Sequence, residues 1–279
     1  MKYLSPKAMY HAMGKKNFLE YLLFAVFILF FYLPLMNLCM LAFADKYEVP
    51  AIIPQKFGFK WWEFVLGQNS LVSSIAMSFL LAVVVTAVSL LLCIPAAYAL
   101  ARFNFKGKKI FLLSFLLSNA YPKMGLYISI GIIFYKLNLM GTFVGVVIIH
   151  ILNSMMFMTW IPSGAFRSVH RQQEESASDA GAGPLRTFFK ITLPLAMPGI
   201  IVASVFTFLG SLEEAQGTLL VGFPQIKTMP VQLYGVIMEY PLTAGPVLSL
   251  ILIIPTLVIL FVMRKYINAD TISKGYGVK

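Results

Sequence analysis

Charge is scarce in this sequence. Asp, Glu, Lys and Arg together make up 12% of its 279 residues, against about a quarter in soluble domains, which excludes an ordinary water-facing surface. Acid is scarcer than base, with 11 Asp and Glu against 22 Lys and Arg. In a soluble protein such an excess would mark a nucleic-acid surface. Here the basic residues sit beside apolar runs and no nucleic-acid motif accompanies them, so nucleic acid is excluded as a partner. The two cysteines, Cys39 and Cys93, lie inside apolar runs without metal-ligand spacing and read as core thiols. His11, His150 and His170 assemble no metal or triad pattern with nearby Ser, Asp or Glu, so there is no metal site and no catalytic cluster. His150 reads as a hydrogen-bonded core or pore residue. Gly107-Lys108 is followed by Lys109 and lacks the upstream glycine of a phosphate-cradling loop. The chain is therefore expected to bind no nucleotide or other cofactor and to be no enzyme.

What is abundant is hydrocarbon: 59% of residues are hydrophobic and the mean hydropathy is +0.82. The chain is expected to be an all-α, multi-pass membrane protein with six spans. A polar segment, 1–17, precedes a run over 18–43 that is too long for a signal-peptide core and lacks a small-residue cleavage site. An exterior loop to residue 71 carries Trp61-Trp62, which predicts an interfacial aromatic helix. The core, 72–264, holds spans over about 72–101, 110–135, 142–165 and 195–222, then a last one ending at Val262-Met263, before a tail at 265–279. The loop between the fourth and fifth spans covers 166–194. Basic residues count sixteen in the N-terminal segment, the 102–109 turn, the 166–194 loop and the stretch from Arg264 to the end, against five in the other loops. The positive-inside rule then puts both termini and the 166–194 loop in the cytoplasm.

Several residues are out of place in hydrocarbon. Lys123, beside Pro122 inside the third run, would cost on the order of 3 kcal/mol there; it either lines a translocation path at a broken helix or snorkels to an interface. Glu213 and Glu214 either face a watery cavity or a partner, or are loop groups if the helix ends near Leu209. Tyr121, Met124, Asn153 and Trp160 are further candidates for the same path. Prolines in or near spans, among them Pro95, Pro162 and Pro198, suit helices that kink or rock.

The loop at 174–198 reads E-E-S-A-S-D-A-G-A-G-P-L-R-T-F-F-K-I-T-L-P-L-A-M-P. Glu174 and Glu175 open a stretch of small residues suited to a short helix, with acid at the dipole-positive end. Gly181 and Gly183 stop it, and Pro184 can open a second short helix whose apolar side is Leu185, Phe188, Phe189 and Ile191. On residues alone this is a helix pair lying on a membrane surface. The spacing adds more. Glu175, Ala177, Gly181, Ile191, Leu193 and Pro194 stand at offsets that resemble the EAA loop of ABC importer permeases, with Ser176 where that family usually has Ala. The P-A-A-Y-A-L-A-R-F-N-F-K-G end of the second span resembles the carbohydrate, maltose-transporter-like branch of type I importers.

The resemblance implies a permease fold in a bacterial or archaeal plasma (inner) membrane, paired with a second homologous permease. It implies two ATPase subunits holding the ATP and Mg, and an extracytoplasmic binding protein that delivers a small-molecule solute. Glu174, Glu175, Ala177, Asp179, Gly181, Ile191, Leu193 and Pro194 would form the ATPase-coupling loop. The implied solute is a sugar or polyol. The S-L-E-E-A-Q-G-T-L-L segment departs from the W-N-E-F form common among sugar permeases and is also similar to the polyamine branch, which keeps a polyamine or other small organic solute as the alternative. A secondary transporter is the remaining class; no convincing repeat relates the two halves.

Overall fold

The computed structural model describes residues 15–263; the expectations for the N-terminal segment up to residue 14 and for the tail lie outside the described residues. Helices dominate: α1 (Lys15–Ala42), α2 (Lys60–Gly67), α3 (Asn69–Arg102), α4 (Lys108–Ala120), α5 (Lys123–Lys136), α6 (Phe143–Ser168), α7 (Arg171–Asp179), α8 (Pro184–Thr187), α9 (Leu193–Glu213), α10 (Gln216–Val221), α11 (Met229–Glu239) and α12 (Ala244–Met263). An antiparallel pair, β1 (Ala44–Lys46) and β2 (Lys56–Phe57), is the departure from an all-α chain. Among the described residues, those up to 65 with 240–250 form one compact unit, and 66–239 with 251–263 the other.

In the first unit, the apolar window of α1 buries none of its residues. A helix that is apolar all round suits lipid or another chain. Its end is held by aromatic residues: the Trp62 indole donates to the Ala42 carbonyl at 2.8 Å, and the Phe43 ring stacks on Trp62 with centroids 5.6 Å apart. Asp45 on β1 accepts from the Lys60 N–H at 3.0 Å, satisfying a free donor at the start of α2. A helix is thus present near Trp61, as α2.

The second unit is built on α3, α6 and α9. Along α3, Leu81, Val85, Ser89, Cys93 and Ala97 recur every four residues and are all buried, one stripe of a 3.6-residue helix. Leu81 and Val85 pack with Val146, Val147 and Ile151 of α6. Cys93 packs with Met158 and Ile161 of α6 and with Val202 and Ala203 of α9. Small residues let the backbones approach, as is usual where lipid supplies no hydrophobic drive between helices. A Cβ built on Gly199 would lie 2.5 Å from that of Ala165. Ser89 and Ser154 hydrogen-bond across the α3–α6 seam at 3.2 Å.

Among the described residues, five helices are long and apolar enough to cross a membrane. The third expected span, 110–135, is broken at Tyr121-Pro122-Lys123 as the sequence predicts, into α4 of 13 residues and α5 of 14, each about 20 Å long at 1.5 Å per residue and too short to cross alone. The break is Tyr121-Pro122. Proline has no N–H to donate and forces the preceding residue from helical geometry; Tyr121 is extended at φ −90°, ψ 153°. The expected fifth span, 195–222, likewise divides after Glu213 into α9 and the short α10.

The packing generates a contrast between two glycines. Gly199→Ala is expected to cost about 1–3 kcal/mol through overpacking against Ala165 and to lower the unfolding temperature of the detergent-purified protein. Gly131→Ala, where a Cβ meets open space within α5, leaves that temperature unchanged or raised.

Candidate functional site

Two clusters of polar side chains stand out, one on the 166–194 loop and one around the α9–α10 break. On the loop, α7 ends in a left-handed turn at Gly181, φ +82°. The Gly181 N–H donates to the Ser178 carbonyl and the Ala182 N–H to the Ala177 carbonyl, both at 2.9 Å. This reciprocal pair closes the helix and requires a residue that tolerates positive φ. Pro184 then opens α8, as the sequence predicts. A π-helical turn, Phe188–Thr192, follows before α9 begins, and it changes the expected apolar side: Leu185 and Phe189 are exposed, while Phe188 and Ile191 are partly covered. One helical turn is too short to keep four apolar residues on one face, and the π turn rotates the register.

Glu174 and Glu175 are separated by their surroundings. Glu174 forms an ion pair with Arg102 at 2.8 Å, the two side chains 18% and 9% exposed. The same carboxylate oxygen accepts from the Thr192 hydroxyl at 2.6 Å. Arg102 also donates to the Val169 carbonyl at 3.0 Å, and Arg171 donates to the Arg102 carbonyl at 3.1 Å. Glu175, Ser178 and Asp179 are exposed and line an open cleft of about 390 Å³ beside Tyr98 and Arg102. No residue of α7 is buried. Ala177 is partly covered, and Leu193 and Pro194 lie at the start of α9. Arg102, Thr192 and Tyr98 were not foreseen as parts of this site; Arg102 lies 72 residues from Glu174, with no local signal joining them.

At the second cluster, Glu214 is 5% exposed. One of its oxygens accepts from the Gly217 N–H at 2.6 Å; the other accepts from the Tyr127 hydroxyl and the Asn153 amide, each at 3.3 Å. Gly217 admits this approach because a Cβ there would collide with Ile149 and stand 3.2 Å from Glu214 Oε1. One turn away, the His150 ring nitrogens pair with the Ser211 and Thr218 hydroxyls at 2.7 and 2.8 Å. Tyr127, Gly217 and Thr218 were missed by sequence reasoning, because a tyrosine and small residues in an apolar run carry no distinguishing signal.

The path candidates therefore divide. Asn153 and Glu214 meet; Glu213, adjacent in sequence, is exposed. Tyr121 and Met124 are exposed and Lys123 half-buried at the α4–α5 break. Trp160 donates from its indole to the Leu112 carbonyl of α4 at 3.1 Å, away from both. Among the described residues no group of His, Cys, Asp and Glu could hold a metal.

Residues 89–271, which contain both clusters, match the family described as binding-protein-dependent transport system inner membrane component. The sulfoquinovosyl glycerol transport system permease protein SmoH of Agrobacterium fabrum is 28% identical over 206 residues, 71% of this chain and 70% of that one. The spermidine/putrescine transport system permease protein PotC of Shigella flexneri is 24% identical over 225 residues, 81% of this chain and 85% of that one. Among solved structures, a chain of a bacterial ABC transporter involved in import of the acidic polysaccharide alginate is similar in fold. Its TM-score is 0.72 at 19% identity, over 90% of this chain and 96% of that chain.

The adjacent carboxylates give a direct test of their surroundings. Glu214→Ala strips the acceptor from the buried Tyr127 and Gly217 donors and the part-buried Asn153 amide and is expected to destabilise by about 2–3 kcal/mol. Glu213→Ala stays within about 0.5 kcal/mol, as for an exposed side chain. Thermal unfolding of the two variants in the same detergent checks the difference.

Proposed function

The chain belongs to the binding-protein-dependent transport system inner membrane component family, and on that premise we propose that it forms half of the translocation pathway of an ATP-driven sugar or oligosaccharide importer. It is a multi-pass inner-membrane protein, a transporter component rather than an enzyme. In this reading α4 and α5 together make one crossing, so that the five long helices and this pair give six, with both termini in the cytoplasm. The excess of basic residues on that side supports the orientation.

The observation that carries the reading is α7: a short helix, closed by a left-handed glycine, with none of its residues buried and with Glu175, Ser178 and Asp179 exposed. Such a knob fits a groove on a separate ATPase subunit, which would bind the ATP and Mg. The permease would pair with a homologous second permease and receive its solute from an extracytoplasmic binding protein. Tyr121, Lys123 and Asn153, around the break between α4 and α5, would border the route, in keeping with the habit of transporters to place solute sites at broken helices. Core and loop boundaries follow the same scheme, with residues 72–264 as the permease core and 166–194 as its coupling loop. The likeness to a sulfoquinovosyl glycerol permease supports a sugar or glycoside. The likeness to a spermidine/putrescine permease, with Glu213 exposed, supports a polyamine as the second reading.

The test is uptake by the complex reconstituted in liposomes with its ATPase subunits and binding protein, using maltose, trehalose, lactose and spermidine as probes. Gly181→Asp distorts the closure of α7 and is expected to lower ATP-driven uptake at least tenfold while the spans remain folded, the scale of a 1.4 kcal/mol loss. Uptake untouched by this change would argue against α7 as the coupling element and in favour of a secondary transporter.

A further inference from the structure

The knob has few ways to move the bundle. Residues 169–170 join α7 to α6, and α8 with the π turn joins it to α9. The second route is a short turn at 180–183, after which α8, the π turn and α9 run on as one helix over 184–213. Neither covalent route reaches α3, the helix that packs against both α6 and α9.

Arg102, the last residue of α3, bridges that gap. Its Nη2 donates both to the Glu174 carboxylate of α7 and to the Val169 carbonyl after α6. The same Glu174 oxygen takes the hydroxyl of Thr192 at the foot of α9. One carboxylate and one guanidinium thus tie the ends of three spans to the knob. Aromatic packing backs the tie, with the Tyr98 ring of α3 edge-on to Phe166 and Phe188 at 5.4 and 4.9 Å. Both charged side chains are largely covered, so water and salt screen the pair less than a surface pair, and its directed hydrogen bonds resist sliding.

We infer that the Arg102–Glu174–Thr192 clasp is the rigid link through which displacement of α7 is transmitted to α3. The inference rests on the proposed docking of α7 to an ATPase, and it assigns Arg102 and Thr192 as positioning residues that need not touch the partner. A link of this kind makes α7 and the end of α3 move as one body. Without it, α7 would swing on its two chain connections while α3 lags.

The experiment measures the distance between spin labels at Phe103 and Gln172, both exposed, in the complex with its ATPase subunits, before and after addition of ATP. In the wild-type background the distance is expected to hold. In Arg102→Gln and Thr192→Val it shifts by about 2 Å or more, the scale of helix movements in switching proteins, and Arg102→Lys, which keeps one charged bond, shifts less. A clasp that served stability alone would lower the yield of folded complex without opening a nucleotide-dependent shift. Equal distances in all four proteins, or the same ATP-dependent shift in wild type, overturns the inference. Failure of the ATPase subunits to co-purify with wild type instead overturns the docking reading beneath it.

Discussion

A backbone in hydrocarbon must satisfy its own hydrogen bonds, because no water is there to do so. That constraint makes the long apolar runs helical, and it gives meaning to each place where a helix stops inside one. At the α9–α10 break the Glu214 carboxylate supplies an acceptor to the Gly217 N–H. Ser and Thr hydroxyls answer carbonyls within the helices, as Thr86 does to Ala82. Asn119 of α4 donates to the Asn153 carbonyl of α6, so the short helix before the Pro122 break is tied to a long one. Of the side chains that looked misplaced by composition, Glu214 makes one such break tolerable, while Glu213 and Tyr121 are exposed and Lys123 is half-buried.

The same economy of polar groups separates two kinds of work in the molecule. Glu214, His150 and their partners are buried and bonded on several sides, which favours a fixed geometry between α5, α6 and α10. Around α7 the inner groups, Arg102, Glu174 and Thr192, are bonded inward, while the outer ones, Glu175, Ser178 and Asp179, are exposed. A fixed interior beside an open, polar knob suits the proposed coupling element, one that receives a push and passes it inward. Two neighbouring glutamates with opposite surroundings occur at both clusters, and in each the buried member organises the backbone while the exposed member stays available.

Much of this was legible in the sequence. Long apolar runs, the Pro122 break, the short helix at Trp61-Trp62 and the glycine closure at Gly181 each carry a local signal: length, a missing N–H, paired indoles, a residue free of Cβ. The loop spacing identified a family that the later match supports. What was not legible depends on contacts between distant segments. Nothing near Arg102 announces Glu174, and nothing near Tyr127 announces Glu214, because an ion pair across 72 residues and a hydrogen bond across 87 are products of packing. The π turn was hidden for a related reason: it changes which apolar residues are covered without changing the composition of the segment.

The central claim is that α7 is the surface on which a separate ATPase acts. Site-directed cross-linking tests it most directly, with Ser178→Cys in native membranes, a short thiol cross-linker, and identification of the product by mass. The account predicts a covalent adduct between this chain and an ATPase subunit, absent when the cysteine is placed instead at Lys227 in the loop between α10 and α11. An accessible, reactive cysteine at 178 that yields no ATPase adduct, or an adduct formed equally from position 227, would contradict it.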